Sequence, residues 1–231
     1  MADRTKLWYL TNLDTFNQLQ DDEYRILDQL TVMRDIKKGE VLYLYGTSDK
    51  KLYILKKGAV KITKLMPGGR ELIIDIINGG SLFGEMSSIE DRQRDEAAVV
   101  VEDGVLCEMS CTDFDQLQKM IPGLKIRITK MIGFRRWKLE NRLIDLLYGS
   151  VEQRLAKTIV NLVDDFAIPH GHGCLLKIKL THQDFADLIA STRETVTVTL
   201  NKMKNDGLID TEKRYLVIPD LESIRQLGEI T

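Results

Sequence analysis

The run from Leu180 to Ile209 constrains the fold of this chain most strongly, because its pattern is that of two short helices joined by a tight turn. Thr181 is placed to cap the first helix, and Asp184 stands three residues later as the acidic partner of a capping box. Ser191 or Thr192 is placed to cap the second. Such caps leave the start of each helix pointing outwards, where its positive dipole end favours phosphate.

The second helix of this pair begins with residues suited to reading base pairs. A helix that enters the DNA major groove uses its N-terminal end, where arginine grips guanine with two bonds and glutamate accepts from the cytosine amino group. Arg193 and Glu194 occupy that end, Thr197 follows near the exposed face, and Val198 offers apolar contact to a thymine methyl. The expected phosphate contacts are helix caps and cations: Thr181, Ser191, Thr192, Lys202, Lys204, Lys213 and Arg214. The pattern predicts sequence-specific DNA binding, with a helical hairpin of an ordinary α domain as the alternative.

From residue 33 to residue 110 the chain alternates short β-rich runs with glycines, which separate the runs at Gly46, Gly58, Gly68-Gly69, Gly79-Gly80 and Gly104. Short β-branched runs spaced about 8 to 12 residues apart indicate an antiparallel sandwich or roll. Helical material is predicted before it, over residues 13–30.

A long helical run from Gly123 to Tyr148 follows. Its apolar residues are spaced by three and four and define one stripe: Leu124, Ile128, Met131, Ile132, Leu139, Leu143, Leu146 and Leu147. About 26 residues at 1.5 Å each span near 39 Å, more than a small domain needs. We therefore expect this helix to pack against a second copy as a coiled coil and to end at a hinge, Gly149-Ser150.

The remainder is predicted to hold a helix through Phe166, a loop over residues 167–174, the helix pair, and strands at Lys177–Lys179 and over residues 208–219. The last of these is predicted to bend at Thr211 to Arg214. A helix pair followed by a β-hairpin is the winged form of the motif. The predicted fold class is α+β. Its predicted divisions are a β-roll sensor domain over 1–121, a dimerisation helix and hinge over 122–149, and a winged helix-turn-helix domain over 150–231.

Composition limits the setting of the protein. The net charge of −2 shows no overall polybasic character, so DNA contact must come from a local patch. The N-terminus lacks the apolar core of a signal peptide, and no run reaches the roughly 18 apolar residues of a membrane span. Cys107, Cys111 and Cys174 are an odd number, which favours free thiols in a reducing cytosol. These features predict a cytoplasmic protein without membrane partners.

A second informative stretch runs from Phe83 to Val100. A glycine turn with Glu85, followed by Arg94, suits an anionic ligand that carries a hydroxyl, with Arg94 and backbone amides for the anion and Glu85 for the hydroxyl. The alternative is a tight β-turn at Gly84 and a surface charge at Arg94.

Three groups of residues together resemble the Crp/Fnr family of bacterial transcription regulators, over about Leu13 to Ile218. They are the glycines Gly39, Gly46 and Gly58; the segment Phe83-Gly84-Glu85-Met86 with Glu102-Asp103; and the run from Ser191 to Val196. The resemblance implies a homodimer with an N-terminal double-stranded β-roll like that of cyclic-nucleotide-binding proteins, a long dimerisation helix and a C-terminal winged helix-turn-helix. It also implies a near-palindromic double-stranded operator. Members that read TGTGA-like half-sites usually carry arginine where Val198 stands, so a related but different half-site is expected.

The resemblance also implies an effector site. In members that bind cyclic AMP, Glu85 would bind the ribose hydroxyl and Arg94 the phosphate, with a backbone amide from Gly84. The family then has Ser-Ala where this chain has Asp95-Glu96, and a carboxylate repels phosphate or pairs internally with Arg94. Leu139 and Glu140 replace the adjacent Thr and Ser that meet the adenine. The candidate effector residues are Phe83, Gly84, Glu85, Met86, Arg94, Asp95, Leu139 and Glu140. A small anion or metabolite, or no ligand at all, is expected rather than cyclic AMP.

Other cofactors fit less well. An iron-sulfur sensor needs about four cysteine ligands, and the sensor domain has only two, Cys107 and Cys111. These two cysteines are either a redox pair or small apolar residues packed in the core. A haem held by histidine lacks its ligand there, since His170, His172 and His182 lie further on. His170 and His172, together with Cys174, are residue types that bind Zn²⁺, but a fourth ligand is missing. A solvent-exposed turn without metal is therefore expected. The resemblance places that turn where a member of the family touches RNA polymerase.

Two other classes of function fit the sequence less well. A cupin-type enzyme needs a histidine cluster on its strands, which the sensor domain lacks, so no enzymatic activity is expected. A cyclic-nucleotide-binding module that regulates a protein partner without DNA would leave Arg193 and Glu194 unexplained. The prediction is an effector-responsive, DNA-binding regulator whose effector is unidentified.

Overall fold

The computed structural model describes residues 19–48, 50–84 and 93–229. Its contacts divide the chain into two units. The first unit consists of the residues up to 67 together with residues 75–136. The second unit consists of residues 68–74 together with the residues from 137 onward. The predicted divisions at 121/122 and 149/150 stay a prediction.

The first unit is built on an antiparallel sheet. The helices and strands in this part of the chain are α1 (Asp21–Leu30), β1 (Val32–Ile36), β2 (Val41–Tyr43), β3 (Lys51–Leu65), β4 (Glu71–Asn78), β5 (Leu82–Phe83), β6 (Glu96–Ser110), α2 (Cys111–Met120) and α3 (Pro122–Tyr148). The strand order is β1-β6-β3-β4, with β2 paired to β6 and β5 paired to β3. The predicted β-rich domain is confirmed. Of the helix predicted over 13–30, residues 13–18 lie outside the described part of the chain.

Two of the glycines do not separate strands, and that part of the prediction was wrong. Strand β3 continues through Gly58 and β6 continues through Gly104, so each is a single strand of 15 residues. The two strands approach so closely here that a Cβ on Gly104 would overlap the carbonyl of Lys57, and one on Gly58 would lie 2.8 Å from the carbonyl oxygen of Glu102. The register shifts at the same place, which marks β-bulges.

The sheet buries both of its faces, which explains why β3 reads as a continuous apolar run rather than an alternating one. One face, with Tyr53, Leu55 and Val60, packs inside the roll. The other face, with Leu52 and Ile54, packs against α1, α2 and the start of α3.

The apolar stripe of α3 has two destinations, which corrects the prediction of one seam. Leu124 and Ile128 are buried in the core of the first unit, and Met131 packs against it. Further along the helix, Leu139 and Leu143 are exposed. Only the second part of the stripe is therefore available to another copy.

The second unit contains the winged domain, whose elements are α4 (Val151–Phe166), β7 (Ala167–His170), β8 (Gly173–Leu176), α5 (His182–Leu188), α6 (Arg193–Asn205), β9 (Asp210–Glu212), β10 (Tyr215–Ile218) and α7 (Leu221–Gly228). Its sheet has the order β7-β8-β10-β9. The predicted loop over 167–174 is a β-hairpin, in which His170 pairs with Gly173. The predicted strand at Lys177–Lys179 was wrong, because strand β8 ends at Leu176. Among the described helices, none has the length and apolarity to cross a bilayer.

The long helix and the helix after it are separated where the sequence indicates. Helix α3 ends at Tyr148, and Ser150 caps α4 by accepting a hydrogen bond from the Gln153 amide. The side chain of Gln153 returns a bond to the Ser150 amide at 2.9 Å, which completes a capping box. The break at Gly149-Ser150 is thereby confirmed.

Candidate DNA-reading head and effector pocket

Local hydrogen bonds define the start of both helices of the pair. Thr181 accepts from the Asp184 amide at 3.1 Å, and the Asp184 carboxylate accepts from the Thr181 amide at 2.9 Å, as the predicted capping box requires. Thr192 caps α6 by accepting from the Thr195 amide at 3.2 Å. Between the helices the chain turns at Ala190, whose φ is +51°. Both caps form as the sequence indicates, with Thr192 rather than Ser191 in the second.

Helix α6 has one face in the core and one in solvent. Val196, Leu200 and Met203 are buried, while Arg193 and Glu194 are exposed in the first turn. Val198 is also on the outer side and is 69% exposed. An apolar side chain with so much of its surface in water gains from a partner that removes that surface. Three of the four predicted base-reading residues, Arg193, Glu194 and Val198, therefore share the accessible side of the helix.

Thr197 lies between these faces and makes a contact that the sequence did not indicate. Its Oγ1 donates to the carbonyl oxygen of Arg193 at 2.8 Å, and the same atom lies 2.8 Å from Nδ1 of His182. His182 is the first residue of α5 and is exposed. The two helices of the pair are joined by this bond next to the base-reading residues. The only signal in the sequence is that a polar ring follows the cap residue Thr181.

The two lysines of α6 are already engaged by carboxylates. Lys202 Nζ lies 2.9 Å from Glu152, and this hydrogen bond raises the pKa of the lysine. Lys204 Nζ lies 2.8 Å from Asp210, and its hydrogen bond lowers the pKa of that carboxyl group. Both pairs are exposed, so they are weak and exchangeable. As phosphate contacts, these lysines would have to exchange a carboxylate for DNA.

The turn between β9 and β10 holds two cations in an unfavourable backbone conformation. Glu212 pairs with Tyr215, which leaves Lys213 and Arg214 as a two-residue loop. Their φ angles are +49° and +69°, as in a type I′ turn, where asparagine and glycine are favoured. Non-glycine residues in this region cost about 1 kcal/mol or more each and are typical of functional sites. The predicted bend in the wing is confirmed and narrowed to these two residues.

The His-Gly-His-Gly-Cys segment forms the turn and edge of the β7–β8 hairpin. His170 Nε2 lies 3.1 Å from Glu212 of the wing. Cys174 is partly buried, and burial raises the pKa of its thiol. In the part of the chain that the structure describes, no three His, Cys, Asp or Glu side chains form a metal-binding group.

In the first unit, Arg94 lies inside the roll rather than on the surface. Its side chain is 6% exposed, and its Cζ lies 3.8 Å from the centre of the Tyr43 ring. Nη2 donates to the carbonyl oxygen of Lys51 at 2.7 Å. The turn residue Gly84, at a φ of +78°, is so close that a Cβ there would lie 3.4 Å from Nη1. The alternative of a surface charge at Arg94 was wrong, and the sequence did not indicate the aromatic ring that covers it.

The structure places the other predicted effector residues in different environments. Phe83 is buried and stacks on Tyr53, with ring centres 5.2 Å apart. Asp95 is mostly exposed and pairs with Lys64 at 2.5 Å, so the expected internal pairing with Arg94 was wrong. Glu85 and Met86 lie outside the described residues. Leu139 and Glu140 are exposed on α3, and their role stays a prediction.

The two cysteines of the sensor domain are buried. Cys107 points into the core beside α2, and Cys111 is the first residue of that helix. Redox-sensing thiols are typically accessible. Burial therefore favours core packing for both.

Comparison with known proteins assigns both units. Residues 33–120 match the family model of the cyclic nucleotide-binding domain, and residues 153–227 match the Crp-like helix-turn-helix domain. The chain belongs to the Crp/Fnr family of transcription regulators. The resemblance and the fold predicted from the sequence are thereby confirmed. Like its relatives, this Crp/Fnr protein is a DNA-binding transcription regulator with an effector-type domain.

Its curated relatives are distant but match over most of their length. A CRP-like cAMP-activated global transcriptional regulator of Mycobacterium tuberculosis is 28% identical over 193 residues, covering 82% of this chain and 85% of the relative. The anaerobic regulatory protein of Bacillus subtilis is 24% identical over 201 residues, covering 87% and 84%.

Solved structures share the fold. The regulator CLP of Xanthomonas campestris, described as responsive to c-di-GMP, superposes with a TM-score of 0.75 at 20% identity, covering 87% of this chain and all of that chain. A CooA mutant of Carboxydothermus hydrogenoformans gives a TM-score of 0.73 at 19% identity, covering 97% and 96%.

Proposed function

We propose that this regulator is a homodimer that reads a near-palindromic operator through α6, under the control of an effector bound in the β-roll. The observation that carries the proposal is the accessible side of α6, where Arg193, Glu194 and Val198 stand together at its N-terminal end. Selection of binding sites from random double-stranded DNA tests it. We expect two half-sites separated by about one helical turn, or 34 Å, each with a G·C pair and a neighbouring thymine.

The exposed part of α3 supplies the self-partner. Trp137, Leu139, Leu143, Ile144 and Leu147 are large apolar residues on the last three turns of this helix, and each has more than a third of its surface in solvent. Contiguous apolar surface of this kind marks an interaction site. Two copies packed through α3 would bury it and place one reading head on each half-site.

Phosphate contacts are proposed for Thr181, Ser191, Thr192, Lys202, Lys204, Lys213 and Arg214. The caps present the positive end of each helix dipole to the backbone of DNA. The wing cations support this role because they are held in a left-handed conformation that glycine or asparagine would adopt at lower cost.

Replacing the wing pair by Lys213→Asn with Arg214→Gly should stabilise the fold while weakening DNA binding. Asparagine and glycine suit a type I′ turn, so the free energy of unfolding should rise by about 1 kcal/mol. A dimer would lose about four phosphate contacts, so the slope of log K against log salt should fall by about 3 to 4. Thermal unfolding and operator titrations at several salt concentrations measure both effects.

The matched control is Lys119→Asn, which removes an exposed lysine from the last turn of α2 in the other unit. We expect it to leave both the salt slope and the operator affinity unchanged. An unchanged salt slope in the wing variant would exclude the wing from the phosphate contacts.

The effector is proposed to be a small anion or metabolite other than cyclic AMP, although a curated relative is cAMP-activated. Arg94 is buried close to Gly84 in the β-roll, and the resemblance implies a nucleotide-shaped pocket there. Because Asp95 turns to Lys64, it does not neutralise Arg94. The case against cyclic AMP rests on Leu139 and Glu140, which cannot make the adenine contacts of Thr and Ser.

Cyclic AMP should therefore leave thermal unfolding nearly unchanged. A ligand present at about 100 times its Kd adds about 2.7 kcal/mol, which for a chain of this size shifts the midpoint by about 5 to 10 °C. We expect a shift below about 1 °C with millimolar cyclic AMP, and no difference from non-cyclic adenosine monophosphate as the control. Stabilisation by cyclic AMP alone would overturn this assignment, and a panel of small anions screens for the effector.

The other predictions extend this picture. The β7–β8 hairpin is proposed as the contact to RNA polymerase, by its position in the family. A cytoplasmic location, the absence of a resident cofactor, metal or membrane partner, and the absence of enzymatic activity stay predictions. A module acting on a protein partner without DNA is disfavoured by the family and by the reading face of α6.

A further inference from the structure

The imidazole of His182 stands at the edge of the DNA-reading face and has only one of its nitrogens engaged. Nδ1 meets Thr197 Oγ1 at 2.8 Å. Across the residues that the structure describes, Nε2 meets no hydrogen-bond partner, and the side chain is exposed. The residue lies directly after Thr181, which caps this helix.

The proton of the Thr197 hydroxyl determines which ring nitrogen carries a proton. A threonine hydroxyl has one proton to donate, and that proton is directed to the carbonyl oxygen of Arg193, 2.8 Å away. Both bonds are satisfied together only when Nδ1 of His182 is the donor. In the neutral ring Nε2 then presents a bare lone pair, and it becomes a donor only when the ring takes up a second proton.

We propose that His182 is a DNA-backbone contact that binds a phosphate through Nε2–H only in its imidazolium form. This role rests on the docking of α6 proposed above. A neutral ring held in this tautomer would present a lone pair to an anionic oxygen, which is repulsive. The imidazolium would form a charge-assisted bond to the same oxygen. Operator binding therefore takes up a proton at each half-site.

The other charged groups on the elements around the ring are carboxylates and strong cations. Asp184 lies on the same helix as His182, and Arg193 and Glu194 begin the helix that carries Thr197. Lys204 and Arg214 line the same cavity of about 320 Å³ as His182. The ordinary pKa of a carboxyl group is near 4 and those of lysine and arginine lie above about 10, whereas histidine is the side chain whose ordinary pKa lies close to neutral pH.

The sign of the pH dependence follows from this linkage. A bound phosphate favours the charged ring, so operator affinity is greatest at low pH and falls as the pH rises through the titration of histidine in the complex. If the phosphate binds the charged ring about tenfold better than the neutral ring, affinity falls by up to about tenfold per half-site across the full titration, and by up to about a hundredfold for a dimer with two half-sites.

Anisotropy titrations of a labelled, selected operator at constant ionic strength from pH 6 to 8 test the proposal, with His182→Asn and His182→Arg beside the wild type. Asparagine keeps a donor at the Nδ1 position for Thr197 but cannot gain charge, so we expect weak binding that does not change with pH. Arginine keeps the charge at every pH, so we expect strong binding that does not change with pH. Both variants retain His170, which pairs with Glu212 of the wing. A pH dependence that came from His170 would therefore persist in both variants.

Wild-type affinity that does not fall with rising pH, or a pH dependence that persists in His182→Asn, would overturn the proposal while leaving operator binding intact. Affinity that instead rises with pH would assign Nε2 as an acceptor from a base amino group, which also contradicts it. Absence of any selected operator for the wild type would show that the docking of α6 itself is wrong.

Discussion

Arg193→Ala should abolish most of the discrimination between the operator and random DNA. Each bidentate arginine–guanine contact is worth about 1 to 3 kcal/mol against a wrong base, and a dimer loses two. Operator affinity should fall by about 2 to 6 kcal/mol, roughly 30-fold to 20,000-fold, whereas binding to unrelated DNA should change little. Competition titrations with the operator and with single-position variants of it measure both quantities.

Arg193→Lys is the matched control for charge, because it keeps the cation and removes the planar pair of donors. We expect it to lose the preference for the G·C pair nearly as completely as alanine does. Glu194→Ala should relax the preference at the cytosine of that pair. A uniform loss of affinity on all sequences would reassign Arg193 to a phosphate.

Leu143→Glu should convert the protein from a dimer to a monomer and remove operator binding at concentrations where the wild type is saturated. Leu143 is 56% exposed on the final turns of α3, and a two-fold interface would bury it twice. Loss of apolar burial at about 1.5 to 3 kcal/mol for each leucine, with two like charges brought together, should raise the dimer dissociation constant by at least about 100-fold. Sedimentation velocity measures the oligomeric state.

Two controls separate the interface from helix stability. Leu143→Met keeps an apolar side chain of similar volume, so it should remain a dimer. Lys130→Glu places a glutamate at an exposed position earlier on α3, and should also remain a dimer. If Leu143→Glu stays dimeric and binds the operator, the exposed part of α3 is not the dimer interface.

The patterns that predicted structure correctly act over three or four residues. The capping box of Thr181 and Asp184, the break at Gly149-Ser150 and the inward face of α6 all follow from helix periodicity and from groups that meet within one turn. The errors arose where tertiary packing changed the meaning of a residue. Gly58 and Gly104 looked like turns, but each lies where two strands approach too closely for a side chain.

The sensor site shows the same limit on sequence reasoning. The sequence alone presents Arg94 as a ligand-binding residue or a surface cation, and Asp95 as its candidate internal partner. Both residues lie just before β6, which begins at Glu96, and their side chains take opposite directions there. Asp95 therefore meets Lys64 outside, while Arg94 turns inward over Tyr43.

By itself, the sequence determined the order of the domains, the family, the helix caps and the residues at the start of the reading helix, because each depends on local spacing or on a contiguous motif. Only the tertiary structure decided which cations are already paired, which half of α3 is left exposed, and that His182 joins Thr197. These depend on contacts between residues far apart in the chain, such as Lys202 with Glu152 and Arg94 with Tyr43. Such pairs meet only when the whole domain has folded, since no local periodicity brings them together.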